Sequence, residues 1–461
     1  VSAMVVLMYA TASVSGAAAP AVPYHAQGEK AGDPTRDSVI LLTRLTAVET
    51  AEPERDVPGM DGWVRFELST APDFQDFRAT PWRHATDDVI PMEERRFRGL
   101  SGDHTVKEQV TDLQADTTYY YRVRIESEDR QAERVGPRRR FRTAPAPSQS
   151  KDVSFVVITG QGYGSRDLPE GHSAYHAMER LGLDFIVLTG DTIYYDGAAG
   201  GLPEHIARPR SGDVPDGVPP FSGLVALMRP HWHAMYGLPI QREFFGRYAG
   251  YWMVDDHDVG THDNASGNPP GCYTFKEQNP VPERTYRTVR WGKALQLWFA
   301  EGREFRDFKQ DPPTIWGDEQ FEWLVDSIAA SDATFNILVN STAVAGSGDD
   351  LGDPRGDCHA ERPFLEERKA FFDAISERGV KNFFICVGDD HWKYHSRAKG
   401  YGIDEFCCGA LSGEHHRGGG GRWEVTTDPA GLVDFLHPKG DEGGKGRKGE
   451  PGPGGFLRVL L

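Results

Sequence analysis

The chain has 461 residues, and its 38% hydrophobic and 11% aromatic content supplies enough apolar material for about two or three folded domains. Its 69 acidic and 51 basic side chains give a formal net charge of −18, which argues against nucleic acid or an anionic membrane as a partner. An acidic protein can still bind an anionic substrate if bound cations invert the local field.

The N-terminal segment has the composition of an export signal. Residues 1–8 are largely apolar, and small residues then lead to Ala17, Ala18, Ala19 and Pro20. This pattern is typical of the apolar centre and cleavage region of a signal peptide. The apolar part is too short to span a bilayer, and no other stretch is long enough, so no transmembrane segment is expected. We predict a signal-peptide remnant or disordered segment over residues 1–32 and a secreted or periplasmic protein.

Residues 33–144 are predicted to form a small β-sandwich. Short, partly alternating runs at 38–42 and 62–68 lie between turn residues, as is typical of strands. Leu113 and Tyr119 resemble the tyrosine corner of fibronectin type III domains, in which a Tyr hydroxyl bonds back to the backbone. Ala115 replaces the Pro usual in that motif. We expect a fibronectin type III-like accessory domain without catalytic residues.

Strands and helices alternate after a Pro/Ser-rich linker at 145–152, which indicates an α/β fold with a largely parallel sheet. Strands are predicted at 153–158, 184–188, 335–339 and 382–387, and helices at 172–181, 321–330 and 366–378. Loops are predicted for the Gly-rich and Pro-rich insertion 198–220 and the Gly-rich segment 440–455. The sequence leaves open whether the five cysteines are buried thiols or form one or two disulfides.

Three acidic clusters each follow an apolar run. A carboxylate at the carboxyl end of a buried strand is a common position for a metal ligand in α/β enzymes. A solvated acidic loop would explain any single cluster, but three of one kind favour a metalloenzyme. The clusters are Asp191, then Asp255, Asp256, His257 and Asp258, and finally Asp389, Asp390 and His391.

Individual residues in these clusters suggest roles in metal-dependent hydrolysis. The two oxygens of Asp191 are suited to bridge two cations about 3.5–4 Å apart. Tyr194 offers a phenolate to a hard ion such as ferric iron, or else a hydroxyl packed at the mouth of the sheet. His257, beside a metal carboxylate, is placed to donate a proton to a leaving oxygen.

Four motifs resemble the PhoD-like alkaline phosphatases, which belong to the calcineurin-like metallophosphoesterases. The resemblance covers the PhoD-like metallophosphoesterase domain predicted over residues 153–461, and the preceding β-domain is also similar to that family. It implies a four-layer β-sandwich flanked by helices, with mixed rather than largely parallel sheets. The motifs are Gly190-Asp191-x-x-Tyr194, Asp255-Asp256-His257, Gly317-x-x-Gln320-x-x-Trp323-Leu324 and Gly388-Asp389-x-His391.

The resemblance also implies a binuclear metal centre. Asp191 would bridge the metals, and Tyr194 and His391 would bind Fe³⁺. Asp256 and Asp389 would bind a second, Ca²⁺-like ion, with His257 near the leaving group. The implied reaction is in-line attack of metal-activated hydroxide on a phosphate ester.

One position departs from the family. A Cys follows the first strand in the family, whereas this chain has Gly160 there, followed by Gln161. Glycine has no side chain to coordinate a metal, so the identity of the ion is open. The Gln161 oxygen would favour a harder divalent ion.

These residues predict an exported, metal-dependent hydrolase of phosphate mono- or diesters. Gln161, Arg166 and Arg287 are candidate substrate-binding residues, as is Arg303, although structural salt bridges would also explain the arginines. The alternatives are a sulfate-ester hydrolase and a non-catalytic binding protein with a degenerate metal site. The natural substrate and the oligomeric state are not evident from the sequence.

Overall fold

The structure is a computed structural model, and eleven stretches of the chain are described. They are residues 21–52, 55–88, 102–197, 201–203, 205–206, 208–260, 269–346, 356–391, 393–412, 433–437 and 455–461.

Short apolar strands form one central sheet. Strands β10 (Ser154–Ile158), β11 (Phe185–Leu188) and β12 (Gly250–Trp252) are parallel, and every residue in them is buried. Continuous apolar runs of this kind are expected where both faces of a sheet are covered. The C-terminal strand β20 (Leu457–Leu460) pairs antiparallel with β10. The strands predicted at 153–158 and 184–188 are therefore confirmed to within one residue.

A second sheet has seven strands in the order β13-β14-β15-β16-β18-β17-β19. Strands β14, β15, β16 and β18 run parallel, whereas β13, β17 and β19 pair antiparallel with their neighbours. Both sheets are thus mixed, which corrects the prediction of a largely parallel sheet. The bounds are β13 Arg287–Trp291, β14 Leu295–Phe299, β15 Phe335–Asn340, β16 Phe383–Val387, β17 Lys393–Ala398, β18 Ile403–Cys408 and β19 Val433–His437.

The two sheets pack face to face with helices on both outer faces, giving four layers. Apolar side chains of β10, β11 and β12 meet those of β13 to β16 in one buried cluster. A second cluster joins the first sheet to the helices before β13, and a third joins the other sheet to α6 and α7. The helices are α1 Ala174–Met178, α2 Pro220–Gly237, α3 Pro239–Phe245, α4 Asp256–Val259, α5 Pro269–Gln278, α6 Gly317–Ala329 and α7 Leu365–Glu377.

The longest helix, α2, was not predicted from the sequence. It contains Pro230 and Gly223, both of which disfavour a helix interior, and its buried side chains are not confined to one stripe. The helix predicted at 172–181 is shorter than expected, because α1 gives way to a 3-10 turn before Gly182. Among the described residues, no helix is both long and apolar enough to cross a membrane.

The N-terminal part forms a β-sandwich whose two sheets enclose their own apolar core. The Tyr119 hydroxyl accepts a hydrogen bond from the Gln114 amide (2.9 Å), which confirms the predicted corner contact. One sheet contains β3, β4, β5, β7, β8 and β9, and the other contains β1, β2 and β6. Their bounds are β1 Glu29–Gly32, β2 Val39–Arg44, β3 Gly62–Ser69, β4 Arg78–Ala79, β5 Arg83–Ala85, β6 Thr105–Val110, β7 Thr118–Glu126, β8 Glu133–Val135 and β9 Arg139–Arg142.

The sandwich is continuous with the first central sheet, because β1 pairs in parallel with β12 at Gly32 and Gly250. Every residue of β1 is buried. This corrects the predicted leader or disordered segment over residues 1–32, since the folded part already includes residues 29–32.

Two further sequence predictions concern loops and cysteines. The segment 440–455 lies outside the described residues except for Gly455, and the insertion 198–220 is described only in part. All five cysteines are buried free thiols, which resolves the alternatives that the sequence left open.

Candidate metal centre

The three acidic clusters meet at one edge of the two sheets. Asp191 follows β11, Asp256 follows β12 and Asp389 follows β16. Asp191 and Asp389 both have left-handed backbones, with φ of 52° and 56°. Aspartate tolerates this region better than most L-residues. Gly190 permits the close approach of two turns, since a Cβ there would lie 2.3 Å from the Asp255 Cβ.

Four carboxylates lie close together at this edge of the sheets. Oxygen atoms of Asp191, Asp255, Asp256 and Asp389 lie within 4.8 Å of one another, and Asp191, Asp256 and His257 form an overlapping group. Several of these buried oxygens accept no hydrogen bond from the part of the chain that the structure describes, namely Oδ1 of Asp191, Oδ2 of Asp255 and both of Asp256. Buried, unpaired carboxylate oxygens are costly without a compensating partner. The donor set therefore fits hard cations.

Tyr194 and His391 extend the cluster on the side of Asp191. The Tyr194 hydroxyl donates a hydrogen bond to Oδ2 of Asp191 (2.9 Å) and lies 3.2 Å from Nε2 of His391. Nε2 of His391 is 3.8 Å from the same Asp191 oxygen. The structure thus brings together all five residues predicted as metal ligands.

His257 lies between the cluster and a further carboxylate. Its Nε2 is 3.7 Å from Oδ2 of Asp256, and its Nδ1 is 3.5 Å from Oδ1 of Asp196. Its ring packs against Tyr194 with centroids 4.3 Å apart. These contacts orient the buried imidazole beside the cluster, where it can serve as a proton donor or as a ligand. Asp196 was not singled out in the sequence.

Burial and mutual repulsion dominate the electrostatics. Burial raises the pKa of Asp191 well above its usual range, and the charge of Asp256 adds to this. Burial and the charge of Asp255 likewise raise the pKa of Asp389. For His257, burial would lower the pKa, but the charges of Asp256 and Asp191 outweigh it and raise the pKa well above its usual range. Cations would relieve the same repulsion.

Two buried arginines form ion pairs with Asp255 of the cluster and with Asp357. The sequence did not reveal this network. Arg303 is fully buried and donates from Nε to Oδ1 of Asp255 (2.7 Å) and from Nη1 to Oδ1 of Asp357 (2.6 Å). Arg306 binds the same Asp357 oxygen (3.0 Å). Arg303 is thus placed to hold Asp255, which does not fit its prediction as a phosphate-binding residue.

Asp258 hydrogen-bonds to the turn after β11 and to the turn after β12. Its Oδ1 accepts hydrogen bonds from the amides of Thr192 (3.0 Å) and Ile193 (3.2 Å), and its Oδ2 accepts one from the Asp255 amide (3.1 Å). The turn after β11 and the turn after β12 are therefore tied to one carboxylate. This role also was not predicted, although Asp258 belongs to the acidic cluster.

The other candidate substrate-binding residues lie in different surroundings. Gln161 is buried, accepts a hydrogen bond from the Tyr175 hydroxyl, and has an Nε2 without a hydrogen-bond partner. Arg166 stacks on Tyr163 and donates to its carbonyl oxygen (2.9 Å). Arg287 is instead buried against Asp33 of the N-terminal sandwich (2.7 Å), so its prediction as a substrate-binding residue is corrected.

Gly160 occupies a tight position next to the candidate ligands. Its φ is +63°, and a Cβ built there would lie 3.0 Å from the Ala410 Cβ and 3.5 Å from Cδ2 of His391. Gly160 therefore lies next to the candidate site, as expected from the family position that a Cys occupies. Without a side chain, it contributes no side-chain ligand atom.

An apolar cavity adjoins Tyr194 on the side of α2. Its walls leave about 260 Å³ of space, counting solvent at the mouth. The lining includes Tyr163, Ile193, Leu202 and Ala234 together with Tyr194.

The fold is shared with solved structures of other proteins. A solved structure titled as the structure of PhoD superposes with a TM-score of 0.70 at 18% identity, covering 95% of this chain and 84% of that chain. The structure of a purple acid phosphatase from yellow lupin (Lupinus luteus) seeds superposes with a TM-score of 0.54 at 12% identity. The match covers 94% of this chain and 69% of that chain.

Sequence comparison specifies the family. Residues 273–429 match the PhoD-like phosphatase family, and residues 10–145 match the PhoD-like phosphatase N-terminal domain. Alkaline phosphatase D of Bacillus subtilis (strain 168) is 22% identical over an alignment of 418 residues that covers 80% of this chain. The match spans 64% of the length of that relative. The chain belongs to the PhoD-like phosphatase family.

Proposed function

We propose that this protein is an exported, metal-dependent hydrolase of phosphate mono- or diesters. The observation that carries the proposal is the convergence of carboxylate oxygens of Asp191, Asp256 and Asp389, because buried oxygens of Asp191 and Asp256 accept no hydrogen bond from the described residues. Family membership supports the same chemistry, and the apolar segment near the N-terminus supports export.

Two metal ions would be held by five side chains. Asp191 would lie between them, with Tyr194 and His391 on one side and Asp256 and Asp389 on the other. Ions at such sites lower the pKa of water and offset negative charge on phosphate oxygens. Fe³⁺ and Ca²⁺ are the pair implied by resemblance, and because Gly160 supplies no ligand, the oxygen of Gln161 would favour a harder divalent ion in the first site.

Other side chains would bind and orient the ester. The unpaired Nε2 of Gln161 is a donor for a phosphate oxygen. Arg166 has a buried Nε without a hydrogen-bond partner and offers a planar guanidinium to the same group. His257, held near Asp196, would donate a proton to the leaving oxygen.

Two alternatives remain as distinct hypotheses. A sulfate ester has the size and geometry of a phosphate ester, so the same site suits a sulfatase. Gly160 favours a non-catalytic binding protein with a decayed site, because this position supplies no ligand.

A substrate panel separates these hypotheses. We expect the purified protein with added divalent metal to hydrolyse p-nitrophenyl phosphate or bis(p-nitrophenyl) phosphate, and p-nitrophenyl sulfate far more slowly. Faster hydrolysis of the sulfate would identify a sulfatase. A metal-loaded protein that hydrolyses none of the three would refute the enzymatic proposal.

A further inference from the structure

The adjacent thiols of Cys407 and Cys408 lie directly behind the candidate metal centre. They end strand β18, in which Cys407 is the direct neighbour of Val387, the last residue of β16. Successive side chains of a strand point to opposite faces. The two thiols accordingly belong to different apolar clusters, one on the helix side and one between the sheets.

Cys407 contacts the turn that carries Asp389 and His391. Its Sγ lies 3.4 Å from the carbonyl oxygen of Asp390 and 3.6 Å from that of Gly388, and both contacts are hydrogen bonds donated by the thiol. The two carbonyls flank Asp389, whose backbone is left-handed. The buried Cys407 thiol therefore contacts the turn on both sides of Asp389, whose backbone is strained.

Cys408 faces the turn that carries Asp191. Its thiol lies near the side chain of Thr189, whose hydroxyl donates a hydrogen bond to the Ile158 carbonyl (3.1 Å). Thr189 also packs closely against the second turn, since a Cβ on Gly388 would lie 2.1 Å from its Oγ1. The end of β18 thus contacts both turns that supply candidate ligands.

We propose that Cys407 is a positioning residue, whose thiol holds the 388–391 turn in the shape that presents Asp389 and His391 to a metal ion. This inference rests on the proposed function, because it requires that the cluster binds metal. Partners of this kind, one step removed from the metal, typically change affinity by about 10–100-fold when removed.

Three variants separate the effect of the Cys407 hydrogen bonds from the effect of side-chain packing. Cys407→Val removes the donor, keeps a similar volume and suits a strand. Cys407→Ser keeps a donor. Cys386→Val is the matched control, because Cys386 is similarly buried on the adjacent β16 and its thiol hydrogen-bonds to none of the described residues.

The test is calorimetric titration of metal-stripped protein with Mn²⁺, with thermal melts to establish that each variant is folded. We expect Cys407→Val to weaken Mn²⁺ binding about tenfold or more, while Cys407→Ser and Cys386→Val stay within about threefold of wild type. Cys407→Ala replaces the valine variant if that variant does not melt cooperatively.

Equal Mn²⁺ affinity in Cys407→Val and wild type would overturn the inference. An equal loss in Cys386→Val would also overturn it, because packing alone would then explain the effect. A wild-type protein that binds no Mn²⁺ or any other divalent ion would instead refute the proposed function.

Discussion

Asp191 and Asp389 both occupy left-handed backbone positions at the ends of buried strands. Such a position costs an L-residue roughly 1–2 kcal/mol, so the surrounding contacts must hold it. Asp258 does this for the turn containing Asp191 through the Thr192 and Ile193 amides, and Cys407 contacts the turn containing Asp389. The site is therefore shaped by side chains that would not touch a metal themselves.

Asp196 provides a residue-scale prediction about proton donation. Because its carboxylate lies 3.5 Å from Nδ1 of His257, Asp196→Asn should weaken the orientation of that ring. We expect kcat for an alkyl phosphate, a poor leaving group, to fall about tenfold or more, and kcat for p-nitrophenyl phosphate to change much less. Steady-state kinetics on both esters would measure this. The exposed Asp213→Asn is the control, and equal losses on both esters would contradict the role.

The three acidic clusters could be predicted from the sequence because each follows an apolar strand, which is a local pattern, whereas the family resemblance implied the individual ligand roles. Arg303 and Asp357 could not, since 54 positions separate them and only the folded chain brings them together. The salt-bridge partner of Arg287 could not be predicted for the same reason, because Asp33 lies 254 positions away. A basic residue near a motif does not reveal which acid it will meet.

At the scale of elements, α6 explains why the Gly317-to-Leu324 motif accompanies this site. The Gln320 side chain accepts a hydrogen bond from the Glu301 amide (2.7 Å) and donates one to the Glu301 carbonyl (2.8 Å). It thereby anchors the segment that carries Arg303, which in turn holds Asp255. The motif contributes to the site through the backbone rather than as a ligand.

Gln320→Ala should therefore destabilise the protein. Removing the side chain leaves a buried amide and carbonyl unpaired, so we expect a loss of about 1–3 kcal/mol in the free energy of unfolding. Denaturant melts would measure it, with Glu322→Ala on the exposed face of the same helix as the control. Equal stability of the two variants would show that the anchor is dispensable.

On the scale of the whole molecule, the sandwich and the layers that carry the acidic cluster share a sheet, an ion pair and hydrogen bonds. Arg139 donates to Glu29 within the sandwich (3.0 Å) and to Glu243 on α3 (2.7 Å). Lys30 donates to the Gln278 carbonyl (2.9 Å). The division at residues 145–152 predicted from composition marks a linker in sequence, but contacts across it are extensive.

This continuity predicts one cooperative unfolding transition. If the two parts unfold together, the calorimetric and van't Hoff enthalpies should agree in a differential scanning experiment. Two resolved transitions, with the first assigned to residues 21–144 by limited proteolysis, would show that the domains are energetically independent.

Lys107 should make the free energy of unfolding of this protein vary with pH in the alkaline range. Burial lowers the pKa of Lys107 to about 8, against a smaller opposing effect from Glu283 and Glu277. Between that value and the ordinary Lys pKa, the unfolded chain binds more protons, so stability should rise with pH across this window. Relative to Lys107→Met, wild type should gain up to roughly 3 kcal/mol, measured by urea unfolding at pH 8 and 10.5. Parallel pH profiles would contradict the shift.

The central claim, that Asp191 bridges a metal centre used for hydrolysis, is tested most directly by elemental analysis of wild type and Asp191→Asn purified in parallel. We predict bound metal and phosphoesterase activity in wild type, and loss of both in a variant that still folds. Wild-type metal content and turnover in Asp191→Asn would contradict the account.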